Sequence, residues 1–445
     1  MQDIVIWLVG DSLRLDSNPA LERAITLSTE TNSALIPLAI LEPRKWKDTQ
    51  FGIPRSGLHW QRVRANSWIN LGRNLRALGS GLWIDEGTTL ECLRHIASDW
   101  QVRGIVTDLA ISVEETTAMA ELRDLGFEPT EVMSNQLFES HDLSFSSTHP
   151  PKTFTQFRKQ VEKKPEKIPL YPSAAPTTLP FYIECPWNRP TLVTQATEIN
   201  TSPIIEVDAF GGEDWARLHW EEYLDAEALS HYKKTRNAFS GRFNSSRLSI
   251  ALAHGLLSPR RIWHDTLEYE KEVMKNDSTY WLRFELLWRE FLHWYGRSAH
   301  RKMFLQSGPE ERDYDCAENH EAFEKWKKGE TGFSIVDACQ KELLVSGWMS
   351  NRGRQLVASS LINELNLDWR LGAAWFESRL ADFDVNVNWG NWAYIAGVGP
   401  DPRGGRHFHL EQQTKRYDQD GSHRAQWENI CIADHGPRRE LKPSE

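Results

Sequence analysis

Ile4–Val9 reads IVIWLV and Ile36–Leu41 reads IPLAIL. Both runs are continuously apolar where a half-buried strand would alternate, and that is the mark of strands covered on both faces of a parallel sheet. Working outward, Ala34–Leu41, Gly81–Asp85 and Gly104–Asp108 read as strands, with Trp60–Leu78 as a helical stretch between them. The alternation predicts a Rossmann-like α/β domain over residues 1–138. Neither GxGxxG nor GxxxxGK(S/T) follows any of these strands, so the sheet by itself declares no dinucleotide site.

From about His141 to Pro203 the pattern dissolves, and ten of the 21 prolines fall between Pro150 and Pro203. Residues 139–210 therefore read as a connection lying over the surface. From residue 211 to 445 strand signals nearly vanish and an all-α domain is expected. Within it Phe284, Leu287, Trp288 and Phe291 stand at i, i+3, i+4 and i+7, one buried stripe. The final HGPRRELKPSE reads as a frayed tail. A chain of 445 residues suits two domains.

Composition excludes some classes. No apolar run reaches the roughly 20 residues a membrane helix needs. The start lacks the features of a secretory signal, so a soluble cytoplasmic protein, with no membrane partner, is expected. Five cysteines form no CxxC pair, which fits a reducing compartment and no structural metal. A net charge of −10 argues against indiscriminate nucleic-acid binding and leaves room for a local basic cleft. Of 20 tryptophans, 13 lie from Trp215 onward, in the helical half.

Four clusters carry chemistry. In NSSRLSIALAHGLLSPRR, Asn244–Arg261, either Ser245 or Ser246 is expected to cap a helix that Gly255 ends, and Ser258–Pro259 to start the next. Two hydroxyls, a helix N-terminus and Arg247 then meet at one point, which suits a diphosphate. Glu285 and Arg289, four apart beside Trp288 and Glu290, read most simply as a helix-face ion pair. Asn351, Arg352 and Arg354 of GWMSNRGRQ follow a helical run. Asp382–Trp392, DFDVNVNWGNW, packs two carboxylates, three amides and two indoles into a stretch whose Gly and Asn content predicts irregular backbone.

Together with IWLVGDSLRLDSNPAL, DWR, NWGNWAYIAGVGPDPR and QQTKRYDQDG, these motifs resemble the photolyase/cryptochrome family, and GWMSNRGRQLVAS is most similar to its DASH cryptochromes. The resemblance covers nearly the whole chain. It implies an FAD folded into a U inside the helical domain. Tyr232, Ser245, Ser246, Arg247, Leu248 and Ser249 would hold the phosphates and ribityl chain, with Arg289 adding charge. Arg354 and Asp382 would lie along the isoalloxazine, Asp384 at its ribose or ring edge, and Asn388 at N5. The implied activity is that of a photolyase-like lyase: excited reduced flavin gives an electron to a cyclobutane pyrimidine dimer and recovers it. Glu285, Trp288 and Asn351 would form the lesion pocket. Arg236, Arg352, Gln355 and Tyr394 would meet DNA, single-stranded and carrying dimers, bound by a monomer. The rival implication is a photoreceptor in which a partner reads the flavin's redox state.

The sequence also departs from that family. Trp392 and Trp369 match the first two members of its electron-transfer chain, but Cys316 stands where the third, surface tryptophan belongs; Trp326, Trp375 and Tyr314 are the candidate substitutes. Ile250 replaces the usual proline after the phosphate-binding serine. Ala110 occupies the position of the carboxylate that holds methenyltetrahydrofolate in relatives, with Glu114 and Glu115 just beyond.

Overall fold

The computed structural model describes residues 1–42, 49–146, 149–163, 171–187, 211–428 and 430. Its N-terminal half is a five-stranded parallel sheet in the order β3-β2-β1-β4-β5. The strands are β1 (Asp3–Leu8), β2 (Ala34–Leu41), β3 (Trp83–Glu86), β4 (Gln101–Asp108) and β5 (Pro129–Val132). Helices α1 (Pro19–Glu30), α2 (Leu58–Ala77), α3 (Thr89–Asp99) and α4 (Val113–Asp124) make the crossovers. Ile4, Val5, Ile6 and Trp7 are fully buried, as covered parallel strands require. The third strand begins two residues later than Gly81, and the fourth reaches back to Gln101. β5, sequence PTEV, was not foreseen: a four-residue polar edge strand lacks the apolar signal of the interior ones.

A helix, α5 (Phe154–Glu162), interrupts the stretch read as a surface connection. Its Phe157 is fully buried, and Phe154 packs edge-on against Phe284 and Trp288, each with ring centroids 4.9 Å away. Apolar anchoring thus overrides the proline signal here. Residues 188–210 and the tail 431–445 lie outside the described residues.

Twelve helices follow among the described residues. They are α6 (Glu213–Asp225), α7 (Tyr232–Thr235), α8 (Leu248–Ala253), α9 (Pro259–Glu272), α10 (Asp277–Ala299), α11 (His320–Lys328), α12 (Ser334–Ser346), α13 (Asn351–Ser359), α14 (Trp369–Arg379), α15 (Val385–Ala396), α16 (Leu410–Tyr417) and α17 (Ser422–Glu428). On α10, Leu287 and Phe291 are buried while Phe284 and Trp288 keep partial exposure toward α5. No described helix is long and apolar enough to cross a membrane.

Two local expectations are corrected. Neither Ser245 nor Ser246 caps α8: the position before it is Arg247, in the left-handed region at φ 49°, with no side-chain cap. And most of DFDVNVNWGNW is regular helix, α15, capped by Asp384, whose side chain accepts from Val387 N. Burial of Trp389 and Trp392 outweighs the weak helix preference of Asn and Gly. Ser258 does cap α9, with Pro259 at its first turn.

Buried charges tie the halves together. Arg14 donates to Ser17 O, Ser134 O, Asn135 Oδ1 and Gly255 O. Glu213 accepts from Leu15 N and Asp16 N. A Cβ at Gly255, φ 57°, would lie 1.7 Å from Asp11 O, so only glycine allows this approach.

Candidate functional site

The motif residues divide between two places. The first lies inside the helical half. Arg354, on the first turn of α13, donates to Asp382 Oδ2 at 2.7 Å and to Met349 O at 2.9 Å. Arg247 lies over the Trp348 ring, 4.6 Å from its centroid. Ser246 is buried and gives its carbonyl to His219 Nε2 at 2.7 Å, while Ser249 faces outward. Leu248 is core. Asn388 donates to Ala373 O at 3.0 Å, one helical turn from Trp392. Asp382 Oδ1, beside Arg354, is buried and meets no hydrogen-bond partner among the described residues. Native folds keep few such atoms, so this site fits a bound group rich in donors and acceptors, as FAD is.

Next to it stands a second group of acidic, aromatic and basic side chains. Glu285 accepts from Trp281 Nε1 at 3.0 Å and pairs with Arg236 at 2.7 Å, not with Arg289 as the four-residue spacing suggested. Burial pushes its carboxyl up, Arg236 and Trp281 pull it down, and 28% of the side chain stays open. Tyr232 is buried beneath Arg236, whose guanidinium lies 6.0 Å from both the Tyr232 and Trp281 ring centroids. Trp288 donates to Asn391 Oδ1 at 3.2 Å and meets Tyr394 edge-on at 5.2 Å. Arg352 sits over Tyr417 at 4.7 Å and Phe408 at 5.6 Å; burial lowers its guanidinium, and the nearby Arg236 and Arg416 add to that. Asn351 is exposed at the start of α13.

The second place is the crevice at the carboxyl ends of β1 and β4, the point where strand order reverses and where open α/β sheets bind ligands. Arg289 and Asp384 stand here. Arg289 donates to Asn135 O at 2.8 Å and Leu252 O at 3.1 Å. Burial opposes ionisation of Asp384, yet His293 at 2.7 Å and Arg289 hold it far below the usual carboxylate range. Ala110 lines the wall. Glu115 is occupied by Ile111 N and Ser112 N, and Glu114 by Arg55, which also binds Glu377 at 2.8 Å. Sequence reasoning missed this Arg55–Glu377 link and the buried Asp108, whose carboxyl burial pushes up. Only an Asp at a strand's carboxyl end hinted at the latter.

Tryptophan contacts run deep. Trp392 meets Phe376 at 5.1 Å and Trp326 at 6.2 Å, and a Cβ at Gly372 would lie 2.2 Å from its ring. Trp369 meets Trp389 at 5.8 Å and donates to Gln306 O; Gln306 in turn donates to Cys316 Sγ. Tyr314 donates to Leu367 O, two residues before Trp369, and Trp375 to Gln340 Oε1.

Comparison with known proteins fits this architecture. Residues 4–177 match the family model described as DNA photolyase, and residues 281–429 match that of the FAD binding domain of DNA photolyase. A cryptochrome DASH of Idiomarina loihiensis is 38% identical over 95% of this chain and 92% of its own. This chain belongs to the cryptochrome DASH group of the photolyase/cryptochrome family. A cryptochrome DASH of Gloeobacter violaceus is 37% identical over 95% of this chain and 85% of its own. The solved Synechocystis cryptochrome superposes on this DASH protein with a TM-score of 0.88 at 33% identity, covering 98% of this chain and 92% of the other. A class III photolyase from Agrobacterium tumefaciens gives 0.78 at 26%, covering 96% and 86%. The FAD-binding assignment thus falls on the helical half, over the segment that holds the Arg354–Asp382 pair and Asn388.

Proposed function

We propose that this DASH protein repairs cyclobutane pyrimidine dimers in single-stranded DNA, driven by light. The observation that carries the reading is Glu285: a deep carboxyl group, still open to solvent, fixed by Arg236 and Trp281 under a rim of Arg352 and aromatic rings. A base turned out of the stack would find aromatic faces in Trp288 and Tyr394, hydrogen-bonding capacity in Glu285 and Gln355, and phosphate contacts in Arg236 and Arg352. An extruded base costs least to obtain from a single strand.

FAD supplies the light-driven electron, and the protein supplies position and electrostatics. Arg247, Arg354 and Asp382 would hold it, with Ser245 and Ser246 from the segment before α8, and the Asn388 amide would hydrogen-bond near its reactive edge. Trp392 and Trp369 would carry electrons inward. Trp326, in ring contact with Trp392, is fully buried, whereas Tyr314 and Cys316 are partly exposed beside Trp369.

The interdomain crevice, about 220 Å³, is where a second chromophore would sit. Its fit to methenyltetrahydrofolate is poor: Ala110 has no carboxylate, and both neighbouring glutamates are already engaged. No part of the proposed reaction runs through a folate.

The test is to illuminate the reduced, flavin-loaded protein with dimer-containing oligonucleotides, single- and double-stranded, and to follow recovery of intact thymines. Recovery on single strands is expected. Light-dependent flavin reduction with recovery on neither substrate would reassign the protein to a photoreceptor read by a partner.

A further inference from the structure

Glu342 lies on α12 and has no part in the reading above. Its side chain is 8% exposed, and Oε2 meets no hydrogen-bond partner among the described residues. A buried acid left unsatisfied is costly, so its surroundings matter.

Several elements around it bring titratable or charged groups. Its own helix brings Cys339, whose thiol burial pushes well up. α17 brings His423, whose Nε2 stands 3.9 Å from Glu342 Oε2, beyond hydrogen-bond reach. That imidazole is stacked on Phe239 at 4.6 Å, and burial lowers it to about 4, so it is neutral at ordinary pH. Asp418, ahead of α17, is taken up by Arg424 and by His423 N. The cations acting on Glu342 are Arg247, before α8, and Arg354, on α13. Arg354 already gives its guanidinium to Asp382. Geometry puts both arginines at the end of its helix: Arg247 lies over Trp348, whose carbonyl shares the Ser346 hydroxyl with Glu342 O, and Arg354 donates to Met349 O.

We propose that Glu342 is a further wall of the flavin cavity, a neutral carboxylic acid that donates its O–H into the space lined by Arg247 and Arg354 and leaves both arginines charged for the dinucleotide. The inference rests on the flavin reading and adds a binding residue to it. Burial pushes Glu342 up to about 8 against the pull of the two arginines. A bound diphosphate brings negative charge and pushes it further in the same direction, so dinucleotide and proton bind together. Below about pH 8 the proton is already in place. Above it, binding must draw one from solvent, and affinity falls.

The experiment titrates the flavin-free protein with FAD, following flavin fluorescence between pH 6.5 and 9.5, in the wild type and in Glu342→Gln. In the wild type Kd should be level up to about pH 7.5 and rise by about tenfold per unit above pH 8. Glu342→Gln keeps a donor without a titration, so its Kd should match the wild type at pH 7 and stay level. Calorimetric titration of the wild type at pH 8.5, in two buffers of different ionisation enthalpy, should show proton uptake and needs no variant. A level wild-type profile, no proton uptake, or a Glu342→Gln profile that rises like the wild type overturns the inference alone. Absence of FAD binding at every pH overturns the flavin reading and this inference with it.

Discussion

The seam between the domains and the motif cluster of the helical half both concentrate buried polar groups, but the seam uses its charges to tie two domains together. At the seam, Arg14 is satisfied by five acceptors, Arg55 joins Glu114 to Glu377, and Asp384 is held between His293 and Arg289. Among the described residues Asp382 Oδ1, Gln355 Oε1 and Glu342 Oε2 of the helical half meet no hydrogen-bond partner, and neither do the Asp108 oxygens and Gln136 Oε1 that line the crevice. Burying charge without a partner is costly, so the paired arginines mark the frame, and the orphaned acceptors in both places mark where a bound group would sit. The arginines on the two sides are alike in sequence; only their neighbours tell them apart.

That contrast can be broken from the cavity side first. Arg247→Ala should raise the Kd for FAD by at least about 100-fold, on the order of 3 kcal/mol for a lost charge-assisted contact, without lowering the melting temperature of the flavin-free protein. Gel filtration followed by absorbance of the eluted protein reads the loss. On the seam side, Arg55→Ala leaves the buried Glu377 carboxylate without its cation and should cost about 3 kcal/mol in denaturant unfolding, with FAD affinity unchanged. Loss of flavin in Arg55→Ala and not in Arg247→Ala would invert the division.

Glu285→Ala should lower dimer repair by about tenfold with flavin fully retained, as expected for one charged hydrogen bond to the lesion. Acid should then open the seam. Burial lowers His254, whose Nε2 contacts Ala381 O at 2.8 Å, to about 4, so its neutral form is the native one. The unfolded chain binds the extra proton below its ordinary value near 6.5. Stability is therefore level above that pH and falls between about 6.5 and 4, by up to about 1.4 kcal/mol per unit. Guanidine unfolding of His254→Gln at pH 7 and pH 5 should show a shallower loss than the wild type. The smallest effect is expected at the rim: Arg352→Ala should weaken single-stranded DNA binding several-fold and reduce the salt slope by about 1, measured by fluorescence anisotropy at several salt concentrations.

Much of this was legible in the chain. IVIWLV and IPLAIL carry the parallel sheet because full burial on both faces leaves no polar alternation to confuse with a helix. Ser258–Pro259 marks a helix start because cap and ring geometry are local. The Arg247 region misled for the opposite reason: two serines before an apolar run look like a cap, but the backbone turns left-handed at Arg247 and the helix begins after it. Asp382–Trp392 looked irregular because Asn and Gly are poor helix formers; buried Trp389 and Trp392 supply what local preference withholds.

Sequence alone, through motifs and periodicity, determined the family, the two kinds of domain and the residue types of the site. Which arginine faces which carboxylate was decided only in three dimensions: Glu285 chose Arg236 over the nearer-in-sequence Arg289, and Arg289 went to the seam. Periodicity reports which face of a helix is buried. Electrostatic partners, and the lack of a hydrogen-bond partner for Glu342 Oε2 among the described residues, depend on what the other elements bring within a few ångströms, and a linear pattern carries no such distance.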